Sequence, residues 1–119
     1  MPDKTWWQDL FAAIDAKDVP AFLDFLTPDA EFRFANAPAV KGHEAVGAVV
    51  RGFLNAIGGS RHRLVRSWQD DETAVCEGEV AYTRHDGSML TIPFVNVFYM
   101  RDGKVARYLI YIDNTALFA

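Results

Sequence analysis

The residue in this sequence with the clearest chemical signal is Asn96, an amide in a strand pattern that is otherwise apolar. A buried amide left unpaired costs about 1–3 kcal/mol, so Asn96 must bond either a neighbouring protein group or a ligand. The residue pattern leaves both options open. The other members of its face are Leu90, Ile92, Phe94, Phe98 and Met100.

Asp113 is a candidate acid or base, because it ends the last predicted strand two residues after Tyr111. A carboxylate at the mouth of an apolar pocket has its pKa raised by desolvation, which suits proton transfer near neutral pH. The alternative is structural, since aspartates commonly cap a strand end or the turn after it, here Asn114-Thr115.

His62 is a second candidate, on the same strand face as Leu64 and Arg66. An imidazole that titrates near pH 6.5 can act as a base or a donor, although a polar residue at a strand edge or interface is the alternative. His43 and His85 are predicted to be structural or solvated. Three scattered histidines and a single cysteine give no metal-ligand set, so no metal and no cofactor is predicted.

Glu77 and Glu79 alternate on one strand with a more apolar opposite face. Burying two unpaired carboxylates costs several kcal/mol each. Patterning therefore predicts that both point outward, to solvent or a partner subunit.

The length and composition indicate one domain over residues 1–119. Half of its residues are hydrophobic, and its net charge is −4. This charge argues against a nucleic-acid partner, which needs a basic face. No apolar run approaches the roughly 18 residues that span a bilayer, and no signal-peptide core follows Met1. We therefore expect no membrane association and a cytoplasmic location.

Three helices are predicted in the first half, from apolar residues at helical spacing. Thr27-Pro28-Asp29 ends the second helix, because the residue before a proline disfavours helix. A short strand over 30–35 follows, and Gly58-Gly59 ends the third helix in a left-handed backbone. The helical stripes are Trp7, Leu10, Phe11 and Ile14; Phe22, Leu23 and Leu26; and Val46, Val49, Val50, Phe53, Leu54 and Ile57.

The second half alternates throughout, which predicts four strands joined by tight turns. A strand meander after helices is an α+β design. We expect a cone-shaped, curved antiparallel sheet, closed by the three N-terminal helices around an apolar pocket. The strands are 61–69, 73–84, 89–100 and 104–114, with turns at Asp70-Asp71, Asp86-Gly87 and Asp102-Gly103.

Aromatic residues supply the predicted pocket wall, which suits a small, flat, apolar ligand. The outer face of the sheet carries Val95, Val97 and Tyr99, which is too apolar to leave in water. We therefore expect a homodimer packed through the sheets. The predicted pocket residues are Phe11, Phe34, Phe53, Phe94, Phe98 and Tyr111.

Several segments, taken in chain order, carry a family resemblance. They are Ile14–Val19, Thr27–Phe32, Val40–Val46, Glu77–Arg84, Pro93–Phe98, Gly103–Val105 and Tyr111–Asp113. Together they resemble the nuclear transport factor 2-like superfamily, in its SnoaL-like branch. The superfamily's shape is similar to that of ketosteroid isomerases, polyketide cyclases and limonene epoxide hydrolases. It also includes proteins that only bind ligands or partners, so fold alone does not choose among these activities.

The resemblance to ketosteroid isomerases implies a tyrosine and a carboxylate base at the positions of Leu10 and Phe34. A hydrocarbon cannot abstract a proton, which excludes steroid isomerisation by that route. Asn96 falls at the third isomerase position, a donor to an oxyanion. An amide can still donate a hydrogen bond there.

The resemblance to epoxide hydrolases implies an acid–base role for Asp113, and counting from the Asp86-Gly87 turn points Glu79 into the pocket. That direction disagrees with the patterning. The arginine that family places between its carboxylates matches Glu77 here, which weakens the epoxide interpretation.

The leading hypothesis is a cofactor-independent isomerase, cyclase or hydrolase acting on a small apolar carbonyl or epoxide compound. Asp113 serves as the acid or base, Asn96 as the donor, and His62 or Glu79 as a helper. The alternatives are a non-catalytic ligand-binding protein and a dimeric interaction module.

Overall fold

A computed structural model describes the chain from residue 6 to residue 118. The expectation about a signal peptide rests in part on the first five residues, which lie outside this range. None of the helices described has the length and apolar character that a bilayer crossing requires. The elements are α1 (Trp6–Asp15), α2 (Val19–Leu23), β1 (Leu26–Phe34), β2 (Val40–Lys41), α3 (His43–Asn55), β3 (Gly59–Gln69), β4 (Thr73–Thr83), β5 (Met89–Arg101), β6 (Lys104–Ile112) and a short 3₁₀ helix (Thr115–Phe118).

The six strands form one curved sheet in the order β2-β1-β6-β5-β4-β3, which is not closed into a barrel. The predicted α+β class is confirmed. The meander from β3 to β6 is antiparallel throughout, as predicted. The first strand differs, because β1 lies parallel to β6 and antiparallel to β2.

The first strand begins earlier than the sequence predicts, at Leu26 rather than at residue 30. The Thr27-Pro28-Asp29 segment therefore lies within the strand. Its pairing with β6 is interrupted between Leu26 and Glu31. A proline is tolerated at such an irregularity, because it interrupts no regular ladder hydrogen bond.

The two glycines after α3 are not in a left-handed conformation, so that prediction is wrong. The helix ends at Asn55. Gly58 instead lets its own backbone lie close to the backbone at Thr83 and Arg84. Its N–H donates to the Thr83 carbonyl at 2.8 Å. A β-carbon at Gly58 would lie 3.0 Å from the Arg84 carbonyl oxygen.

The turns between the later strands have the backbone that their sequences predict. Gly87 has a φ of 88° in the Asp86-Gly87 turn. Asp102 and Gly103 have φ values of 54° and 79° between β5 and β6. Two successive positive φ values match the twist of antiparallel strands, which is why Asp-Gly joins them so tightly.

The core lies between the helices and the inner face of the sheet. Alternation along β5 buries Phe94, Asn96 and Phe98, while Val95 and Val97 lie half-buried on the outer face. Leu10 of α1, Val46 of α3 and Leu117 of the 3₁₀ helix cover the inner face and are themselves almost fully buried.

Gly78 in β4 allows the tightest packing of the sheet. A β-carbon there would clash with the Arg63 carbonyl oxygen and would lie 2.9 Å from the Phe94 ring. Strand β3 has an irregular register at this level, between Leu64 and Arg66. The missing side chain thus lets the Phe94 ring lie across β4.

We predict that Gly78→Ala lowers the free energy of unfolding by about 1–3 kcal/mol, the usual cost of overpacking a core. Urea unfolding followed by circular dichroism measures this change. Gly52→Ala is the matched control, because nothing lies within 4 Å of a β-carbon there and Gly52 is within α3. The free energy of unfolding of Gly52→Ala should rise by about 0.5–1 kcal/mol. Equal effects at the two sites would contradict the close packing assigned to Gly78.

Candidate functional site

A small cavity of about 50 Å³ lies between the helices and the inner face of the sheet. Pockets that hold drug-sized ligands measure about 300–1,000 Å³ and a single water needs about 10–15 Å³, so this cavity has room for only a few water-sized groups. Phe34 and Phe53 lie half-buried in its wall. The polar side chains that reach the cavity are Ser60, His62, Tyr82, Asn96 and Tyr108.

The central polar contact of this site is a bond between His62 of β3 and Asp15 at the end of α1. The imidazole Nδ1 and the carboxylate Oδ1 are 2.6 Å apart. The His62 backbone N–H also donates to Asp15 Oδ2 at 2.9 Å. Ser60 donates its hydroxyl to Asp15 Oδ1 at 2.7 Å.

These contacts set the protonation of the pair. Burial raises the pKa of Asp15, but the hydrogen bonds from His62 and Ser60 and the charge of the imidazole outweigh it, leaving the pKa below its usual 3.8. An ionised carboxylate only accepts hydrogen bonds, so Nδ1 carries the proton. In the neutral imidazole, Nε2 is then the basic nitrogen.

Aromatic rings hold the His62 imidazole in place. Phe11 stacks on it with ring centroids 4.7 Å apart and planes 6° from parallel. Phe94 meets it edge-on at 5.5 Å. Only 12% of the His62 side chain is exposed, so the imidazole lies largely shielded from water beside the cavity.

The sequence analysis missed Asp15, although a signal for it was present. A carboxylate in the last turn of a helix opposes the negative end of the helix dipole, and α1 has no basic residue there. Such a residue needs donors from elsewhere in the fold. His62 and Ser60, 47 and 45 residues away, supply them.

Three buried polar atoms have no hydrogen-bond partner within the described chain: Trp6 Nε1, Asn96 Oδ1 and the Tyr108 hydroxyl. The side chains of Asn96 and Tyr108 reach the cavity, but both residues are almost fully buried and the two oxygen atoms themselves are covered by protein atoms. Burial also raises the pKa of Tyr108 well above its usual value, so its hydroxyl stays protonated. A polar atom without a partner costs about 1–3 kcal/mol of desolvation. Tyr108 was not singled out from the sequence, because a tyrosine in an apolar alternation is typical of core.

Asp113 does not lie in this cavity. It is exposed beyond the end of β6, and its carboxylate accepts hydrogen bonds from the backbone N–H and the hydroxyl of Thr115, at 3.1 and 2.6 Å. Those bonds lower its pKa, so the prediction of a raised value is wrong. The structural alternative describes the observed geometry. An open polar groove, which Arg33 and Asn36 also line, adjoins it.

Glu79 points to the outer face of the sheet, as the alternation predicts. It accepts a hydrogen bond from the Arg63 guanidinium at 2.6 Å, and 43% of its side chain is exposed. Glu77 is exposed on the same face. The inward direction inferred for Glu79 from the epoxide hydrolase resemblance is therefore wrong. Glu79 and Asp113, the two carboxylates that this resemblance would bring together, bond Arg63 and Thr115 separately.

The predicted pocket residues divide into three groups. Phe34, Phe53 and Phe94 line the cavity. Phe11 and Phe98 are buried beside it without forming its wall. Tyr111 lies 48% exposed on the outer face, under the Arg33 guanidinium, because it alternates with the inward-facing Ile110 and Ile112.

The remaining histidines and the cysteine have structural surroundings. His43 and His85 bond the carbonyls of Leu26 and Asn55 at 3.1 and 2.8 Å. Burial raises the pKa of the Cys76 thiol to about 12, which makes it a poor nucleophile. Across residues 6–118, no group of three or more His, Cys, Asp and Glu side chains is placed to hold a metal ion.

Comparison with known proteins gives a consistent fold. A family model described as SnoaL-like domain matches residues 7–108. TerC, co-crystallised with polyporic acid, is 22% identical over 94% of this chain and 92% of its own, with a TM-score of 0.81. A protein of unknown function from Burkholderia pseudomallei K96243, described as NTF2-like, is 21% identical over 93% of this chain and 90% of its own, with a TM-score of 0.84.

A proposed polyketide cyclase from Xanthomonas campestris pv. campestris is 20% identical over 93% of this chain and 90% of its own, with a TM-score of 0.84. Comparison with curated proteins gives no match. At these identities the structural likeness establishes the fold and not the activity.

We predict that Asp15→Asn lowers the free energy of unfolding by about 1–3 kcal/mol at neutral pH, because hydrogen bonds to a charged group are lost. The pKa of Asp15 is lower in the folded protein than its usual 3.8. The stabilisation is therefore present above that value and is lost as pH falls through the folded pKa.

Urea unfolding at about pH 4.5 and about pH 2.5 tests the direction of this pH dependence. The difference in free energy of unfolding between the native protein and Asp15→Asn should be smaller at the lower pH. Asp9→Asn is the control, an exposed carboxylate on the same helix, and should change stability by less than about 0.5 kcal/mol. A gap that widens on acidification would refute the assigned protonation.

Proposed function

Because the chain belongs to the SnoaL-like domain family, we propose that it is an acid–base enzyme of the isomerase or cyclase type. Its substrate is a compact apolar molecule with a carbonyl group. His62 is the base, Asp15 positions it, and the apolar cavity holds the substrate.

The observation that carries this proposal is the Asp15–His62 bond beside the cavity. The carboxylate holds the proton on Nδ1, which leaves Nε2 as the site that can take a proton. It also stabilises the imidazolium that forms afterwards, since unlike charges attract more strongly away from water. A carboxylate and an imidazole in this relation are a common form of general base.

The chemistry that follows is proton transfer next to a carbonyl. His62 Nε2 takes a proton from carbon, the C–H electron pair moves into the adjacent bond, and negative charge develops on the carbonyl oxygen. In an unsaturated ketone the imidazolium then returns the proton to a different carbon of the dienolate. The electron pair on oxygen re-forms the C=O bond and the C=C bond has moved, which completes an isomerisation. Hydrogen-bond donors placed at the developing charge lower the barrier.

Asp113 and Glu79, the carboxylates proposed for this role from the sequence, have no part in this mechanism. Both are exposed and bonded to Thr115 and Arg63. His62 changes from helper to base, and Asp15 replaces the distant carboxylates.

We predict that the protein exchanges the α-protons of acetone, one of the smallest ketones, in deuterium oxide, and that His62→Gln slows this exchange at least tenfold. Proton NMR of the ketone follows the loss of its α-signals over time. The reason is that exchange requires only proton abstraction and return, and not the natural substrate.

Asp113→Asn is the matched control and should retain the native exchange rate. If Asp113→Asn loses exchange while His62→Gln keeps it, the base is misassigned. If the native protein gives no exchange above buffer although acetone binds in the cavity, a ligand-binding role without catalysis replaces the proposal.

We also propose that a second copy of this chain covers the outer face of the sheet. Trp68, Tyr99 and Tyr111 are 41–49% exposed there, and Val95 and Val97 lie half-exposed between them. The strand registers place these residues on one face. An apolar face of this kind is typical of an interface.

The charges on this face support self-association. Arg63 and Arg66 of β3 lie opposite Glu79 and Glu77 of β4, so positive and negative side chains share one surface. A face with both charges can match a second copy of itself, as a two-fold interface requires.

We predict that light scattering gives a dimer mass at micromolar concentration, and that Val97→Glu gives a folded monomer. A charge introduced into the apolar centre of an interface must be desolvated in the dimer. Ala12→Glu, on an exposed face of α1, is the control and should stay dimeric. A monomeric native protein would refute this interface.

A further inference from the structure

We propose that the Tyr82 hydroxyl donates a hydrogen bond to the carbonyl oxygen of the substrate, where negative charge develops while His62 takes the proton. Tyr82 is then a second catalytic residue beside the base. This inference rests on the proposed function, because it names the group that stabilises the intermediate of the same reaction. Its test includes a binding measurement that does not depend on proton transfer.

The strand register places Tyr82 beside His62. Ser60 of β3 is paired with Tyr82 of β4, and His62 is paired with Val80, so Tyr82 and His62 are diagonal neighbours. The α-carbons of such neighbours are roughly 7–8 Å apart, within reach of aromatic side chains. The side chains of Ser60, His62 and Tyr82 all line the cavity. A small molecule there can therefore contact the imidazole and the Tyr82 side chain together.

The Tyr82 hydroxyl is available to such a molecule. Within residues 6–118, three residues that line the cavity carry a hydroxyl group: Ser60, Tyr82 and Tyr108. Ser60 donates its hydroxyl to Asp15 Oδ1 at 2.7 Å, and the Tyr108 hydroxyl is covered by protein atoms. Tyr82 is 3% exposed, and its hydroxyl is not among the covered atoms that lack a partner. No hydrogen bond within the described residues uses it.

The surroundings of Tyr82 keep its proton in place. Burial and, to a smaller extent, the negative charge of Asp15 raise the pKa of Tyr82 above its ordinary value of 10.0. The hydroxyl is therefore protonated at neutral pH. A protonated tyrosine can donate one hydrogen bond, which is what a carbonyl oxygen needs as it gains charge.

The carboxylate of Asp15 does not oppose this role. Before the reaction Asp15 is negative, because its pKa is lowered, and the imidazole is neutral. When Nε2 takes the proton, the carboxylate and the imidazolium together are neutral, at the moment when charge appears on the carbonyl oxygen. The carboxylate's repulsion of that oxygen is then largely cancelled. A neutral donor such as tyrosine is suited to stabilise the oxygen in this setting.

Packing holds the Tyr82 ring in one position. Phe53 of α3 meets it edge-on, with centroids 5.6 Å apart and planes 75° from parallel. On the side away from β3, Tyr82 is paired with Leu90 of β5. A donor whose position is fixed before the reaction needs no reorganisation when charge develops.

The proposed step needs no co-reactant. The C–H bond breaks as an N–H bond forms at His62 Nε2, the C–H electron pair becomes the C=C bond of the enolate, and the π pair of the carbonyl moves to oxygen. Tyr82 keeps its own proton and donates a hydrogen bond to that oxygen. When carbon takes a proton back, the pair on oxygen re-forms the C=O bond.

The first test repeats the acetone exchange in deuterium oxide with Tyr82→Phe. Loss of one such donor typically slows a reaction by about a hundredfold to a thousandfold, so we expect exchange to slow by about tenfold or more. Tyr108→Phe is the matched control, because it removes a covered hydroxyl from the same cavity wall, and it should stay within about threefold of the native rate. Exchange at the native rate in Tyr82→Phe would overturn this proposal and leave the assignment of His62 intact.

The second test measures binding alone. The carbonyl carbon signal of isotopically labelled acetone is followed by NMR during titration with the full protein. A hydrogen bond to the carbonyl oxygen draws electron density from that carbon and moves its signal downfield. Because phenylalanine keeps the aromatic ring, the difference between native protein and Tyr82→Phe isolates the hydroxyl. We expect a downfield shift with native protein and with His62→Gln, and a smaller one with Tyr82→Phe.

The two tests separate the donor from the base. A signal that native protein does not move, or that Tyr82→Phe moves equally, would overturn the role of Tyr82. A shift that depends on Tyr82, together with no exchange above buffer, would support the donor and contradict the base. Circular dichroism of Tyr82→Phe checks that its fold is native, as expected for a variant that retains the ring packed against Phe53.

Discussion

The contact between Asp15 and His62 is the constraint on which the rest of the site depends. It joins the last turn of α1 to the first residues of β3, and it brings a charged carboxylate to an imidazole beside an apolar cavity. The carboxylate opposes the dipole of its own helix and is half-buried, so it is tolerable only with these donors. The same contacts hold the proton on Nδ1 and leave Nε2 as the unprotonated nitrogen of the neutral imidazole. The stability of the helix end and the tautomer of His62 therefore have one cause.

Packing behind the histidine depends on a chain of close contacts. Gly78 lets the Phe94 ring cross β4, and Phe94 meets the imidazole edge-on, while Phe11 stacks on its face. Protein interiors are close-packed, so a shift in one ring is passed to the next. The imidazole is thus positioned by dispersion contacts on two sides and by a hydrogen bond on a third.

The sequence predicts the strands of the meander, their turns and the inner position of Asn96, because alternation and Asp-Gly pairs are local signals. It does not predict that β1 lies parallel to β6, since that pairing joins residues about 75 positions apart. Asp15 and His62 meet for the same kind of reason. Asp113 shows the opposite error: its position at a strand end suggested chemistry, whereas a hydrogen bond to Thr115, two residues away, decides its role.

The hydrogen bonds of Asp113 also affect the shape of the cavity wall. Its carboxylate caps the 3₁₀ helix at Thr115, and the Arg84 guanidinium donates to the carbonyls of Ala116 and Leu117 at 3.0 and 2.9 Å. These bonds keep Leu117 in the core and bring Phe118 edge-on to Phe53, whose ring lines the cavity. A loop of four residues has too little apolar surface to hold its own position. Charged groups at both of its ends supply the missing stabilisation, so a carboxylate outside the cavity helps to determine the shape of its wall.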